Sequence, residues 1–164
     1  MVASDLIRML KLTPHPEGGH YREIGRSEEI FPRSGLPARY DGDRSLYTSI
    51  YYLLQQREIS RLHRLRSDEL WCLLAGGPLV LHCLTPEDGH TRVRLGPALE
   101  EGEHFEAIVP HGRWFGAVVE EPGEFALMSC TVVPGFEFRD FELGERQHLL
   151  AAFPAYHEII ELLT

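Results

Sequence analysis

One histidine and one glutamate stand close together in the stretch from Ser60 to Trp71 and could do acid–base chemistry. His63 suits a general base, because the unperturbed imidazole pKa of about 6.5 lies near neutral pH. Glu69 alternates with Trp71, so a strand here would place its carboxyl group on the same face as large apolar side chains. A buried carboxylate requires a partner or a function, because an unpaired buried charge is costly. We therefore predict that His63 and Glu69 are catalytic; a structural hydrogen bond of His63 is the alternative.

Further side chains are of types that bind small molecules. Arg22 or Arg61 can hold a phosphate or carboxylate in bidentate fashion, and pairing of either arginine with Glu69 is the structural alternative. Thr48 can offer its hydroxyl group to a ligand, although a β-branched residue also suits a strand for its own sake. Aromatic rings can stack on a sugar or base, while most of them fill the core of a barrel. The predicted substrate-binding residues are Arg22, Thr48, Tyr51, Arg61, Trp71, Trp114, Phe136 and Phe138.

Short apolar runs separated by turn residues follow from Ser45 onward, a pattern typical of an all-β sandwich or barrel. Gly76-Gly77-Pro78 and Pro110-His111-Gly112 are two of the predicted turns. The predicted strands are 46–54, 69–75, 79–84, 90–95, 104–109, 114–119, 125–133 and 136–141, with an earlier strand over 20–25. Because no helical segment interrupts the later runs, a closed or doubled sheet is expected.

The two ends of the chain have helical spacing. Ser4 is predicted to cap a short first helix, and a C-terminal helical segment over about 145–163 carries an apolar stripe after Pro154. Between the ends, residues 27–44 form the longest predicted flexible loop, which could act as a lid. No linker divides the chain, so we expect a single domain over 1–164 with a barrel core of about 19–143.

The composition excludes several classes of protein. A formal net charge of -9 argues against sequence-independent binding to nucleic acid or to anionic membranes, since both need clustered Lys and Arg. The three cysteines, Cys72, Cys83 and Cys130, lie in apolar runs without C-x-x-C spacing, which indicates a reducing compartment. Charged residues interrupt the first twelve positions, so no signal peptide is predicted there, and no apolar run is long enough to span a membrane. The predicted location is cytoplasmic.

The stretch around His63 resembles the first cupin motif, G-x5-H-x-H-x(3,4)-E-x6-G, whose two histidines and glutamate hold a divalent metal. His63, Glu69 and Gly76 match this motif, whereas Leu65 stands at the second histidine and Arg57 at the opening glycine.

The second cupin motif, G-x5-P-x-G-x2-H-x3-N, is matched at Pro110 and Gly112, while Phe115 and Val119 replace its His and Asn. The resemblance implies a divalent metal on His63 and Glu69 with an incomplete ligand set, because Leu and Phe offer no lone pair. His104 or His111 would complete such a site only by pointing inward.

Four ordered segments, 15–23, 45–54, 63–71 and 133–138, resemble a small cupin family long known as a domain of unknown function. The resemblance implies an all-β fold, a single cupin jelly-roll barrel with short N-terminal and C-terminal helices. It also implies a homodimer, in which the early strand could add to a neighbour's sheet edge. The family is grouped structurally with the sugar-nucleotide epimerases of the rhamnose pathway.

Those epimerases carry a catalytic histidine at the end of an Arg-Gly-Leu-His stretch, and Arg61-Leu62-His63 is similar to it. Their histidine removes a proton from the carbon next to a ketone, and a tyrosine returns one. The resemblance implies an isomerase or epimerase that acts on a sugar, sugar nucleotide or similar polar metabolite. A binding protein without chemistry is the second hypothesis, and a metal-dependent oxygenase or isomerase is the third.

Overall fold

Two antiparallel sheets face each other in the computed structural model, which describes residues 2–164. The strands are β1 Thr13–Pro14, β2 His20–Arg26, β3 Ile30–Phe31, β4 Arg44–Ser45, β5 Thr48–Gln55, β6 Ile59–Leu65, β7 Asp68–Gly76, β8 Leu79–Thr85, β9 Gly89–Leu95, β10 Glu106–Val109, β11 Trp114–Val119, β12 Phe125–Val133 and β13 Phe141–Leu143. One sheet has the order β1-β2-β5-β12-β7-β10 and the other β13-β6-β11-β8-β9, while β3 and β4 form a separate pair. This mostly-β architecture confirms the predicted jelly-roll barrel.

The main core lies between the two sheets, because each strand turns alternate side chains inward. Leu54, Trp71, Leu81, Phe115 and Met128 are among its fully buried members. The predicted alternation along β7 is confirmed: Glu69 and Trp71 face the barrel interior, and Leu73 packs against the same core.

Most predicted strands are confirmed, but one predicted strand is partly wrong and one strand of the site was missed. Residues 136–141 were expected to be a strand, but Phe138–Asp140 is a 3-10 turn and the strand that follows begins at Phe141. Conversely, β6 is absent from the predicted runs, because polar residues separate its Ile59, Leu62 and Leu65 and no apolar stretch forms. It is a strand nonetheless because its neighbours β11 and β13 hydrogen-bond to it on both sides.

Three short helices occupy the ends of the chain: α1 Ala3–Leu10, α2 Arg146–Ala152 and α3 His157–Leu162. The predicted cap at Ser4 is wrong, since Val2 is the N-cap and makes no side-chain hydrogen bond. The predicted C-terminal helical segment is confirmed, and its apolar residues pack on Leu62 and Leu84 of the five-stranded sheet. Within residues 2–164, no helix has the length and apolar character needed to cross a membrane.

The segment 27–44, predicted as a flexible loop, is fastened to the barrel at its end. The guanidinium group of Arg44 forms a buried bidentate pair with Asp140, with Nε–Oδ2 and Nη2–Oδ1 distances of 2.6 and 2.7 Å. The hydroxyl group of Tyr40 donates to the backbone oxygen of Arg66 at 2.8 Å. The second half of this segment is therefore part of the packed structure.

The early strand β2 lies between β1 and β5 rather than at the sheet edge. Because β1 pairs only with His20 and Tyr21, the remainder of β2 keeps an open outer edge. The predicted addition of this strand to a neighbouring sheet is thus limited to residues 22–26.

Candidate functional site

A cavity of about 270 Å³ lies between the two sheets. Its walls combine apolar and aromatic side chains with acidic, guanidinium and imidazole groups that converge from different elements. The residues that line it include His15, Glu17, Tyr21, Arg22, Glu23, Arg26, Thr48, His63, Glu69, Trp71, Phe136, Glu137, Phe138 and Phe141. An apolar cavity with few polar groups is the usual form of a small-molecule site.

A tight turn directs Glu17 into this cavity. Gly18 and Gly19, which follow Glu17, have φ angles of +116° and +67°. A Cβ atom on Gly18 would lie 2.0 Å from the backbone oxygen of Ile59, so only glycine fits against β6 here. The carboxyl group of Glu17 is consequently held inside the barrel, where the residue is only 5 % exposed.

A β-bulge in β6 brings two further polar side chains to the same face. Ser60 pairs with Ala117 and His63 with Phe115, so two residues of β6 lie opposite one residue of β11 between these pairs. The extra residue interrupts the strict alternation, and both Ser60 and His63 point inward. Without the bulge, residues three apart would face opposite sides of the sheet.

Glu17, Ser60 and His63 form one hydrogen-bonded cluster. The Ser60 hydroxyl donates to Glu17 Oε1 at 2.9 Å. His63 Nε2 lies 3.2 Å from Glu17 Oε2, and His15 Nδ1 lies 3.5 Å from the same oxygen. His63 is only 2 % exposed. The carboxyl group of Glu17 therefore joins its own turn to Ser60 and His63 of β6 in the barrel interior.

The protonation of His63 follows from its second contact. Its Nδ1 atom lies 2.7 Å from the backbone oxygen of Arg61, which can only accept a hydrogen bond. Nδ1 therefore carries a proton, and a proton must also lie between Nε2 and the Glu17 carboxyl group for these two atoms to attract each other. His63 and Glu17 thus share one transferable proton.

His15 is held in its neutral form beside this pair. Burial lowers the pKa of His15, while the nearby Glu17 carboxylate acts in the opposite direction. The backbone N–H of Glu17 donates to His15 Nδ1 at 3.3 Å, so Nδ1 is an acceptor. The His15 ring also packs edge-on against Tyr21. His15 therefore supports the turn and the position of Glu17.

Glu69 is a second buried carboxyl group in the cavity and is only 6 % exposed. Burial, and then the negative charge of Glu17, raise the pKa of Glu69 to about 8. Its Oε2 atom has no hydrogen-bond partner among the described residues. Glu69 is therefore a protonated acid at neutral pH, and the predicted ion pair with Arg22 or Arg61 does not form.

We predict that Glu69→Gln changes the pH dependence of stability. The folded-state pKa of about 8 exceeds the unfolded value of 4.5, so the folded state binds the Glu69 proton more tightly than the unfolded state does. The stabilisation that follows from this difference is complete below pH 4.5. This contribution falls progressively as the pH rises to about 8. Between pH 6 and pH 9 the wild-type protein should lose roughly 3 kcal/mol that the Gln variant keeps. Urea unfolding at both pH values measures the difference, and an equal pH dependence in the two proteins would contradict the prediction.

The cavity brings together seven of the predicted site residues: His63, Glu69, Arg22, Thr48, Trp71, Phe136 and Phe138. Their roles stay predictions. The hydroxyl group of Thr48 accepts a hydrogen bond from the Phe136 N–H at 2.9 Å, which joins β5 to the segment after β12. Arg22 stands opposite Tyr51, and its guanidinium carbon lies 5.9 Å from the Tyr51 ring. The guanidinium group of Arg22 is therefore turned toward Tyr51, which lies outside the cavity lining.

Three predicted binding residues lie outside the cavity lining. Tyr51 packs with α1 on the outer face of its sheet, because it alternates with the inward Tyr52. Arg61 is in the β6 bulge and donates to the backbone oxygen of Pro16. Trp114 alternates with the inward Phe115 and stacks on Arg64, with the guanidinium carbon 4.5 Å from its ring. A bulge and strand alternation thus explain all three positions.

Sequence reasoning missed Glu17 as the partner of His63 and named Glu69 as the second catalytic residue. Glu17 lies in the 15–23 segment that resembles the cupin family, but it was not singled out as a site residue. Its position next to two glycines was the one local signal that a turn could present its side chain.

The residues of the cavity do not fit the predicted divalent metal. Within residues 2–164, no group of three or more His, Cys, Asp or Glu side chains is arranged to hold a metal ion. Phe115, which replaces the histidine of the second cupin motif, has its ring centroid 4.1 Å from that of His63 and offers no lone pair to a metal. His104 and His111 are exposed, and His111 hydrogen-bonds to Asp68, so neither points inward.

Comparison with known proteins agrees with this architecture. A hypothetical protein from Leishmania major is 36 % identical, with a TM-score of 0.89 over 100 % of this chain and 99 % of its own. A protein from Shewanella oneidensis is 40 % identical, with a TM-score of 0.89 over 100 % of this chain and 98 % of its own.

More distant similarity extends to the oxalate decarboxylase of Bacillus subtilis. That enzyme is 16 % identical with a TM-score of 0.54, and the match covers 92 % of this chain and 36 % of the decarboxylase. This likeness shows the fold alone. Comparison with curated proteins finds no match. The family model described as "Cupin superfamily (DUF985)" matches residues 4–144, and the chain belongs to that family.

Proposed function

We propose that the protein is an acid–base isomerase or epimerase of a small carbonyl-bearing metabolite such as a sugar, with the Glu17–His63 pair as its base. The observation that carries this proposal is the 3.2 Å contact between His63 Nε2 and Glu17 Oε2 inside the cavity. Both residues line the cavity, so a bound molecule would lie beside the shared proton. Geometry of this kind is the first requirement for a general base.

The pair suits the removal of a proton from carbon next to a carbonyl group. In its proton-poor form it accepts that proton, and the electrons of the C–H bond move into an enol or enolate. Return of the proton to the former carbonyl carbon, with transfer of the adjacent hydroxyl proton to the former carbonyl oxygen, gives the isomer of a hydroxycarbonyl compound. Protonation of the original carbon on its other face by a water molecule gives the epimer, and the pair then releases its proton to solvent. No redox partner is needed for either outcome.

The surroundings support this role for the pair. The Ser60 hydroxyl and the Arg61 backbone oxygen fix the carboxyl group and the imidazole ring, so neither must reorient during proton transfer. The aromatic side chains Trp71, Phe136 and Phe141 line the same cavity and restrict water around the reacting groups. Low dielectric around the pair strengthens its electrostatic action on a developing charge.

Solvent exchange tests this proposal without knowledge of the final product. The protein is incubated in D₂O with a panel of aldoses, ketoses and other small carbonyl compounds, and the C–H signals next to the carbonyl group are followed by proton NMR. We expect time-dependent loss of one such signal with the wild-type protein and none with His63→Gln. Saturable binding without exchange of any C–H across the panel would overturn the proposal in favour of a binding protein.

Two further properties belong to the same proposal: a cytoplasmic protein that acts as a homodimer. Light scattering during size exclusion should give about twice the chain mass of 18.7 kDa. A mass equal to one chain would refute the dimer.

A further inference from the structure

The wall of the cavity carries two polar atoms that the chain itself leaves without a hydrogen bond within the described residues. They are Glu69 Oε2 and Trp71 Nε1, and both are buried. Glu69 and Trp71 are alternate residues of β7 and line the cavity together. Unpaired buried polar groups are rare and costly, so two on one wall call for a physical explanation.

Both groups can act as hydrogen-bond donors. The indole N–H of Trp71 donates only. Glu69 is held protonated by burial and by the charge of Glu17, which leaves it an O–H to donate. The Trp71 N–H lies near enough to favour the charged form of Glu69, yet neither Trp71 Nε1 nor Glu69 Oε2 makes a hydrogen bond within the described residues. The Trp71 N–H and the Glu69 O–H can therefore donate together to one acceptor atom of a ligand.

The charge of the cavity limits what that acceptor can be. The lining residues include four glutamates, Glu17, Glu23, Glu69 and Glu137, and two arginines, Arg22 and Arg26. Arg26 is already paired with Glu23 and Glu137 at 3.0 and 3.2 Å. Arg22 is turned toward Tyr51. The part of the chain that the structure describes therefore offers an anionic ligand no unpaired cation directed into this cavity.

We propose that Glu69 and Trp71 bind the carbonyl oxygen of the ligand and that the cavity, which directs no unpaired cation inward among the described residues, selects uncharged carbonyl compounds over phosphates and carboxylates. This inference rests on the proposed proton transfer, because it places the carbonyl group that such a reaction requires. It narrows the substrate class to neutral molecules and excludes sugar nucleotides. Glu69 then serves as a hydrogen-bond donor, whereas the cupin motif would make it a metal ligand.

NMR of the tryptophan indole groups tests the inference directly. Protein labelled with ¹⁵N-tryptophan gives two indole signals, from Trp71 and Trp114, and Trp71→Phe assigns them. Trp114 lies outside the cavity lining and is an internal control. The probes are cyclohexanone, which is neutral, and cyclohexanecarboxylate, which has similar size and a negative charge.

We expect cyclohexanone to shift the Trp71 N–H signal saturably and to leave the Trp114 signal in place. The Kd for cyclohexanone should rise about tenfold in Glu69→Ala, which is the loss of roughly one hydrogen bond. Glu69→Gln keeps the size of the side chain and an N–H donor, so its Kd should stay within about threefold of wild type. Cyclohexanecarboxylate should bind at least about tenfold more weakly than cyclohexanone.

The inference is overturned if cyclohexanone leaves the Trp71 signal unmoved, if Glu69→Ala binds it as well as wild type, or if cyclohexanecarboxylate binds equally well. Its failure is distinguishable from failure of the proposed function. A shifted Trp71 signal without solvent exchange on any compound would refute the isomerase alone. Exchange on carbonyl compounds with an unmoved Trp71 signal would refute the donor pair alone.

Discussion

Glu17→Gln should lower the rate of carbon-bound hydrogen exchange with solvent by about 10²–10⁴-fold, the range over which general-base catalysis contributes. The amide keeps the size of the side chain and can still accept from Ser60, but it cannot hold the proton that Glu17 shares with His63. The turn at Gly18 and Gly19 does not depend on the charge, so the fold should persist. Exchange of a responding carbonyl compound, followed by NMR in D₂O, measures the loss.

The matched control is Glu23→Gln, which changes a glutamate of the same cavity that is exposed and paired with Arg26. Its exchange rate should stay within about threefold of wild type, because a rim charge acts weakly through solvent. Equal losses in the two variants would show that the acidic lining as a whole matters and would contradict the special role of Glu17.

Asp140→Ala should destabilise the folded protein by about 3–5 kcal/mol, the usual cost of removing one partner from a buried ion pair. The side chains of Arg44 and Asp140 are 0 % and 2 % exposed, so the variant leaves Arg44 buried with Asp41 as its remaining charged partner. Its other hydrogen bonds go to the backbone oxygens of Gly42 and Asp43. The pair attaches the 27–44 segment to the 3-10 turn before β13, so the loss should loosen both elements. Urea unfolding at neutral pH measures the change in free energy.

Glu142→Ala is the control for this stability effect. Glu142 pairs with Arg64 at 2.7 Å, but both side chains are largely exposed. Such surface pairs contribute about 0–1 kcal/mol, so we expect little change. A loss below about 1 kcal/mol for Asp140→Ala as well would show that the Arg44 pair does not hold the segment in place.

The short apolar runs were enough to predict a closed or doubled sheet, and the resemblance to cupins implied the jelly roll. Alternation along β7 predicted the interior position of Glu69 and Trp71. It failed where backbone pairing or irregularity decides the structure. The charged strand β6 is held by β11 and β13 on either side, which no local pattern reveals. The segment 136–141, expected to be a strand, contains a 3-10 turn that places Asp140 beside the buried Arg44.

The positions of the site residues likewise depend on irregularities in the strands. A simple alternation from His63 would turn Arg61 inward, but the β6 bulge turns Ser60 inward instead, where it donates to Glu17. A further register shift in β2, between Glu23 and Gly25, places Arg26 opposite the inward-facing Thr48. Contacts between Glu17 and β6 join distant parts of the chain through a glycine turn, so the partner of His63 could not be predicted from local spacing.

The proposed mechanism depends on one proton that His63 and Glu17 share inside the barrel. Long-range ¹H–¹⁵N correlation spectra of ¹⁵N-histidine-labelled protein at neutral pH test this shared proton most directly. His63→Gln assigns the His63 signals. We predict that Nδ1 of His63 is protonated in the wild type, and that Glu17→Gln shifts the Nε2 signal strongly while Nδ1 stays protonated. A neutral ring with its proton on Nε2 and an unprotonated Nδ1, or an Nε2 signal that does not respond to Glu17→Gln, would contradict the shared proton.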